Sequence, residues 1–432
     1  MNHPRAQALI DWIHARQLFG KKNGLDNMTA LLGALNDPHK NLRIVHVAGT
    51  NGKGSVCAMI ECALGANGLK TGMYTSPFLC HYRERISFSG QSIDEDAFVR
   101  AGERVRRIVD ALPKGIVPTA FELGTAIAFC AFEEAHVEFA VIETGLGGRL
   151  DATNVVWPQI CVITNIALDH VEYLGDTVEK IAWEKAGVIK PDVPCVLYPA
   201  EKCVKDVFES VACSVGAQLI YAQDTPIKNA SESMCGASFQ LAMAHWGTVG
   251  VSINLPGAHQ VENARLAMIA LEKLALTDRR IDRDACARGL EQTIWPGRLE
   301  WIKDNILLDG AHNPQGADVL CNYVRRFLAG RKIVLVTAMM QDKQPEAFVH
   351  RMAGVIDLAV VTQLNMPRAL NAQPLAGLYA QAETQAITMP DASSALEYAH
   401  GCIGENGIIL VAGSLYLVGE TRSNLRRISK IM

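Results

Sequence analysis

Apolar positions along the chain fall into two alternating patterns. Short runs rich in β-branched and aliphatic residues occur at Arg43–Ala48, Lys70–Thr75, Glu138–Glu143 and Ile160–Thr164. Between them lie longer stretches with helical spacing of apolar residues, such as Lys53–Asn67. The short runs are continuous rather than alternating, as expected of strands in a parallel sheet covered on both faces. Residues 191–253 change character. Short strand-like pieces, polar turns and the alternation Ser238-Phe-Gln-Leu-Ala-Met243 predict an antiparallel elaboration there. Two helix patterns follow at 259–276 and 282–293, and Trp295-Pro-Gly-Arg298 breaks them. The strand–helix alternation then restarts at Ile306–Asp309, Lys332–Val336, Leu358–Thr362 and Gly407–Ala412. A restart after a Pro-Gly break predicts a second, smaller α/β domain, with boundaries at 1–294, a hinge at 295–299 and the second domain at 300–432. The first residues, through Gln17, read as an amphipathic helix rather than a signal peptide.

Composition narrows the function classes. With 432 residues, 49% apolar and 20% charged, the chain is long enough for buried cores and too apolar for wholesale disorder. A net charge of −4 supplies no global field for nucleic acid or anionic lipid, and Arg104, Arg106 and Arg107 read as a solvated helix face. No apolar run reaches the roughly 18–20 residues of a membrane span. The 12 cysteines are scattered without a C-x-x-C pair, so they read as reduced, mostly buried thiols of a cytoplasmic protein.

The clearest local chemistry is Ala48-Gly49-Thr50-Asn51-Gly52-Lys53-Gly54-Ser55, placed after a buried strand and before a helix. Glycines let backbone N–H groups approach phosphate, Lys53 adds charge, and the helix N-terminus favours an anion. The spacing departs from G-x-x-x-x-G-K-[ST], since two residues separate Gly49 from Gly52 and Gly54 intervenes before Ser55. The plainer alternative is a Gly-rich turn that only caps the helix. The expected first domain is therefore a P-loop-type, mostly parallel sheet with helices on both faces. Phosphate calls for a cation with hard oxygen ligands. Glu143 ends an apolar strand before Gly145, Gly147 and Gly148, which points it into the ligand crevice at the carboxyl edge of the sheet. Asp169 and His170 follow a second strand to the same edge. Lys185, in a helical pattern, reads by default as a solvated surface residue.

Beyond the loop, Tyr74-Thr-Ser-Pro-Phe78, Thr119-Ala-Phe-Glu122, Glu143-Thr-Gly-Leu-Gly-Gly-Arg-Leu-Asp-Ala-Thr-Asn154, Asp169-His170, Glu184-Lys-Ala-Gly-Val188, Pro296-Gly-Arg298 and Asp309-Gly-Ala-His-Asn-Pro314 occur in order. This set closely resembles the folylpolyglutamate synthase and dihydrofolate synthase family of the Mur ligase superfamily, nearly end to end. The resemblance implies an N-terminal ATP-binding domain and a smaller C-terminal Rossmann-like glutamate ligase domain. It also implies ATP-dependent addition of L-glutamate to the terminal carboxylate of a reduced folate through an acyl phosphate. Asn51, Gly52, Lys53, Gly54 and Ser55 would cradle the ATP phosphates, and Asn263, Arg298 and Asp309 would contact the nucleotide. Ser76 and Glu143 would hold one Mg²⁺, and His170 with Glu143 a second. Phe121, Glu122, Leu150, Asp151 and Ala152 match positions lining the folate site, and Arg85, His312 and Ser414 positions near the incoming glutamate. Lys185 matches a lysine that carries a CO₂-derived carbamate, and the family acts as a monomer on small molecules. From the residues alone, Phe121 reads as core, Asn263 as helix surface and Ser414 as a turn residue. The sequence departs from the pattern at Phe78, where many members have histidine, and at Gly24–Met28, which only loosely matches the segment that grips dihydropteroate.

Three alternatives stay open on the sequence. A Mur-type ligase acting on another carboxylate shares the loop, Glu143, His170 and Lys185, but its separate UDP-binding domain is not expected in the 48 residues before Gly49. A P-loop small-molecule kinase leaves the second domain and His312 without a task. A nucleotide-binding switch needs none of Glu143, His170 and Lys185 together. Dihydropteroate as a second acceptor is a further open point.

Overall fold

The computed structural model describes residues 4–16, 24–198, 200–303 and 305–429. The chain divides into two units: Met1–Ser231, Ala237–Asn254 and Ala258–Ile294 form the first, and Glu232–Gly236, Leu255–Gly257 and Trp295–Met432 the second.

In the first unit, β1 (Arg43–Ala48), β2 (Thr71–Tyr74), β3 (Ile86–Phe88), β4 (Gln91–Ser92), β5 (Phe139–Glu143), β6 (Ile160–Ile163), β7 (Cys195–Leu197) and β8 (Leu219–Tyr221) build one sheet. Its order is β4-β3-β2-β5-β1-β6-β7-β8. Strands β2, β5, β1, β6, β7 and β8 are parallel, while β3 and β4 add an antiparallel margin beside β2. The continuous apolar runs become strands because helices cover both sides of them. On one side Ile44, Ala140 and Ile142 join a core with residues of helices Pro4–His14, Asp26–Ala34, Glu95–Ala111 and Ala120–Glu134. Alternation turns Val45, Val47 and Val141 to the other side, where helix Lys53–Ala66 packs against β1, β2 and β5 and against helices Ala258–Ala275 and Arg283–Gln292. Chain connections leave β1 in both directions, so its carboxyl end is a topological switch point, where ligands bind in such sheets.

The prediction for 191–253 needs correction. Cys195–Leu197 and Leu219–Tyr221 extend the parallel sheet, with helix Lys202–Val215 between them. Val204, Phe208 and Ala212 recur at helical spacing and bury the inner face of that helix. Only β9 (Ile227–Glu232), β10 (Ala237–Met243) and β11 (Gly247–Ile253) form the antiparallel elaboration, a sheet of order β11-β10-β9. Ala237 pairs with Ile253 and Met243 with Gly247, and alternate residues of β10 and β11 are buried.

The second unit holds β12 (Glu300–Ile302), β13 (Ile306–Leu308), β14 (Ile333–Thr337), β15 (Leu358–Val361), β16 (Ala386–Thr388) and β17 (Ile408–Ala412), in the order β12-β13-β17-β14-β15-β16. Strand β12 is an antiparallel margin and the other five are parallel, a Rossmann-like arrangement around its own core.

At the amino-terminal edge of the first sheet, charged groups form a lattice. Arg43 Nη1 lies 2.6 Å from Asp278 Oδ2, Arg280 donates to both Asp278 and Glu138, and Glu138 accepts from Lys70 N. Arg104 is less solvated than the sequence implied, bonding Glu133 at 2.7 Å and the Leu35 carbonyl at 3.0 Å. All twelve cysteines are free, six of them buried, four half-buried and Cys213 and Cys235 exposed. Among the described residues, no helix is long and apolar enough to cross a membrane.

Candidate active site

The loop after β1 is fixed by the strand beside it. Thr50 N donates to the Asn165 carbonyl at 2.8 Å, Asn51 N to Asn165 Oδ1 at 2.9 Å, and Thr164 Oγ1 to the Asn51 carbonyl at 2.7 Å. Gly52 sits at φ 87°, and a Cβ there would lie 2.5 Å from Asn263 Oδ1, so glycine is required on both counts. Helix Lys53–Ala66 starts at this point without a side-chain cap, leaving its first N–H groups to face a ligand.

Three sequence candidates converge on the carboxyl end of β5. Glu143 is 4% exposed, and its Oε1 lies 3.7 Å from Lys53 Nζ while Oε2 accepts from Ser76 N at 3.1 Å. Lys53 Nζ also donates to the Thr50 carbonyl at 3.1 Å. A buried carboxylate beside the loop lysine, at the carboxyl edge of the sheet, is a donor suited to an oxygen-seeking cation. His170 lies after β6 with its side chain partly exposed, 3.9 Å from Asp169. Its φ of 50° is left-handed, an uncommon state for a β-carbon residue and one that gathers at functional sites.

Lys185 overturns its default reading. It is 4% exposed, and its Nζ donates to the Gly49 carbonyl at 2.6 Å, against the phosphate loop rather than solvent. Helix Val178–Ala186 buries Ile181, Ala182, Lys185 and Ala186. At Gly187, just after that helix, a Cβ would meet Arg149 Cβ at 2.2 Å. The close approach belongs to the 143–154 segment. Arg149 N donates to the Glu184 carbonyl at 2.7 Å, Arg149 Nη2 to Glu184 Oε1 at 2.7 Å, and Asn154 Nδ2 to the Gly187 carbonyl at 3.0 Å.

The folate-lining candidates are placed with their polar groups largely engaged. Asp151 accepts from Gly145 N, Leu146 N and Thr153 N, and burial raises its pKa against those hydrogen bonds. Ala152 begins the short helical turn that Asp151 caps, and Leu150 precedes it half-buried. Glu122 closes a capping box with Thr119, so its carboxylate is spent on the helix start. The Phe121 ring lies 6.0 Å from Tyr74 and lies against Gly145. The Arg85 guanidinium stacks over Phe78 at 5.5 Å and Tyr82 at 5.2 Å, and its buried Nε has no partner. Phe78, the departure from the family's histidine, is thus a stacking surface. In the Gly24–Met28 segment, Asn27 donates to the Val117 carbonyl and Met28 is fully buried; residues 17–23 lie outside the described residues.

Gln260 was missed by sequence reasoning. It is 1% exposed, donates to Ser55 Oγ at 3.3 Å and accepts from Asn263 Nδ2 at 2.9 Å. Its only sequence signal is the three-residue spacing that puts it on one helix face with Asn263. Asn263 itself is 4% exposed, so it is not a helix-surface residue.

The second unit has its own cluster at the carboxyl ends of β13 and β17. Asp309 is 8% exposed and accepts from Leu299 N at 2.9 Å and Ala311 N at 2.8 Å; burial pushes its carboxyl pKa up, with Arg298 opposing. Arg298 Nη1 donates to the Gly297 carbonyl at 3.2 Å. His312 Nδ1 lies 2.7 Å from the Gly310 carbonyl, so that nitrogen carries the proton. Ser414 is buried and its Oγ accepts from Tyr416 N. Among the described residues, no group of three or more His, Cys, Asp or Glu side chains forms a metal cage.

A phosphate loop, a buried strand-end glutamate and a lysine folded onto the loop define a nucleotide-dependent ligase. Residues 47–271 match the Mur ligase middle domain and residues 297–415 the Mur ligase glutamate ligase domain. The chain belongs to the folylpolyglutamate synthase and dihydrofolate synthase family of Mur ligases. It is 35% identical over 423 residues to the dihydrofolate synthase/folylpolyglutamate synthase of Bacillus subtilis, covering 96% of this chain and 98% of that one. Among solved structures it is similar to Mycobacterium tuberculosis folylpolyglutamate synthase complexed with ADP, with a TM-score of 0.92, 29% identity and 98% of each chain covered. It is also similar to Escherichia coli FolC in complex with DHPP and ADP, with a TM-score of 0.86, 27% identity and 98% of each chain covered.

Proposed function

We propose that this chain joins L-glutamate to the terminal carboxylate of a reduced folate at the expense of ATP, with dihydropteroate as a second acceptor. The observation that carries the reading is the meeting of Lys53, Ser76 and Glu143 at the loop after β1, beside the folate-type segment 143–154. The pteroyl carboxylate attacks the γ-phosphorus of ATP, forming an acyl phosphate and releasing ADP. The amine of glutamate then attacks the acyl carbon, phosphate leaves, and an amide remains. The chain's part is positioning and charge neutralisation. Asn51 to Ser55 hold the phosphates through backbone N–H groups, and Lys53 neutralises charge on the transferred group. Asn263, Arg298 and Asp309 bind the nucleotide, while Arg85, His312 and Ser414 receive glutamate. Phe121, Glu122, Leu150, Asp151 and Ala152 line the pteroyl group.

Two further groups fit the residues present. Ser76, Glu143 and His170 offer the oxygen and nitrogen donors for two Mg²⁺ ions, which polarise phosphoryl oxygens when bound. Lys185 suits CO₂ addition because its buried amine faces a carbonyl, and the N–H retained in a carbamate keeps that hydrogen bond. A carbamate on Lys185 would supply anionic oxygens for a second metal ion. Residues 295–299 act as the hinge between an ATP-binding domain (1–294) and a glutamate ligase domain (300–432), and the enzyme works as a cytoplasmic monomer.

The test is ADP release with Mg²⁺ and ATP, comparing tetrahydrofolate and dihydropteroate as acceptors, with and without L-glutamate. Sustained release that requires both an acceptor and glutamate is expected. Equal turnover without glutamate would return the chain to the kinase alternative.

A further inference from the structure

His46 lies at the middle of β1, wholly buried, and has no place in the chemistry above. Its Nε2 is 2.8 Å from Thr153 Oγ1. Thr153 Oγ1 in turn donates its single proton to Asp151 Oδ1 at 2.5 Å. Asp151 accepts three backbone N–H groups as well, the arrangement of a carboxylate, so the hydroxyl's one proton goes to it. The hydroxyl therefore accepts from the ring, and the imidazole carries its proton on Nε2. The other nitrogen, Nδ1, is buried without a hydrogen-bond partner, as an unprotonated nitrogen in an apolar setting would be. Desolvation pulls the ring's pKa down to about 3, with Lys190 adding to it, so it stays neutral at any physiological pH.

The chain of hydrogen bonds has one direction. His46 donates to Thr153, Thr153 to Asp151 Oδ1, and the remaining oxygen of Asp151 accepts from Gly145 N at 2.9 Å and Leu146 N at 2.8 Å. Those two amides follow Glu143 almost directly. The relay therefore fastens the turn after the strand-end glutamate, and the residues of the pteroyl edge, to the middle of the central strand. We propose that His46 is a positioning residue for the pteroyl acceptor: as the Nε2–H tautomer it orients, through the Thr153 hydroxyl, the Asp151 carboxylate that sets the turn at Gly145–Leu146. The proposal rests on the ligase reading for its kinetic consequence, though not for the tautomer itself.

Three variants test it. His46→Leu removes the donor, Thr153→Val removes the relay at nearly constant volume, and His46→Gln retains an N–H at about the reach of Nε2. In a folded His46→Leu, KM for tetrahydrofolate should rise about tenfold, the scale of one lost hydrogen bond in a buried network, while KM for ATP moves less than about twofold. Thr153→Val should show the same split, and the double variant should be no worse than either single one. His46→Gln should recover most of the acceptor affinity, which a role in packing alone would not predict. If His46→Leu does not fold, the Thr153→Val split decides the kinetic part. The tautomer is read without turnover: in ¹⁵N-histidine spectra of the wild type, the resonances lost in His46→Gln should show a protonated Nε2 and a bare Nδ1. An Nδ1–H ring, or an acceptor KM that does not move in Thr153→Val, would overturn the proposal. Failure of the wild type to release ADP with acceptor and glutamate would instead count against the ligase reading and leave the tautomer to stand or fall on its spectrum.

Discussion

At the scale of single residues, Glu143 is the side chain on which most depends. Its carboxylate is buried between Lys53 and Ser76 N, so neutralising it takes this charge from the lysine and, on the proposed reading, a ligand from the cation. Glu143→Gln should keep its fold, because Phe139–Ile142 remain buried in β5, and lose about 10²-fold or more in kcat, comparable to removing one transition-state electrostatic contact. Steady-state ADP release beside a thermal melt separates the two effects, and kcat near that of the wild type would show that Glu143 is no ligand. Lys185→Ala should bind ATP, remain folded and be nearly inactive, with formate or acetate restoring part of the rate. ¹³CO₂ labelling of the active wild type checks the cause, and a bare amine in active enzyme would exclude the carbamate. Glu143 and the loop were legible in sequence because a strand end and glycines announce them. The burial of Lys185 was not, since helical periodicity tells which residues share a face but not that the Gly49 carbonyl lies against it. Gln260 escaped for the same reason: its meaning lies in Ser55, far away along the chain.

Elements were read well where packing on both sides forces a continuous apolar run, as in β1, β5, β6, β14 and β17. They were misread at two short strands of the 191–253 segment. Cys195–Leu197 and Leu219–Tyr221 carry too few residues to announce a period, and parallel pairing of the first with β6 and of the second with β7 decides their place. The antiparallel margins β3–β4 and β12 were unannounced for the same reason. The join between segment 143–154 and helix Val178–Ala186 gives a test at this scale. Gly187→Ala introduces no backbone conflict, for φ there is −61°, but places a methyl 2.2 Å from Arg149 Cβ and 2.4 Å from its Cα. The two elements must part, at a cost of about 1–3 kcal/mol typical of overpacking. Denaturant titration should show that loss, with a fall in turnover because the same helix carries Lys185. An unchanged midpoint would mean the join is loose.

Across the whole molecule, the two α/β units and their parallel sheets were legible because Trp295-Pro-Gly-Arg298 interrupts a pattern that then restarts. The small segments Glu232–Gly236 and Leu255–Gly257, which group with the second unit, were not, since membership by contact leaves no mark on local composition. Acid sensitivity is a property at this scale. In the unfolded chain His46 titrates near the usual value of 6.5, in the native state only at about 3. Between those values the unfolded state takes up a proton that the native state refuses, so native stability falls as pH falls, by up to about 1.4 kcal/mol per pH unit from this residue. His14 and His39, lowered mainly by burial, act in the same direction. The raised carboxyls of Glu61, Asp151 and Asp309 act in the opposite one, because the native state holds their protons more tightly. His46→Gln should therefore move the acid-unfolding midpoint, followed by circular dichroism, to lower pH, and an unmoved midpoint would show that the buried ring does not drive it. The lattice of Arg43, Glu138, Asp278 and Arg280 has a different kind of consequence. It grips the strands at the ends opposite those that carry the chemistry. Durability and the proposed reactivity are thus assigned to opposite ends of the same two strands, β1 and β5, so an engineer or a lineage adapting to heat can rework one without renegotiating the other.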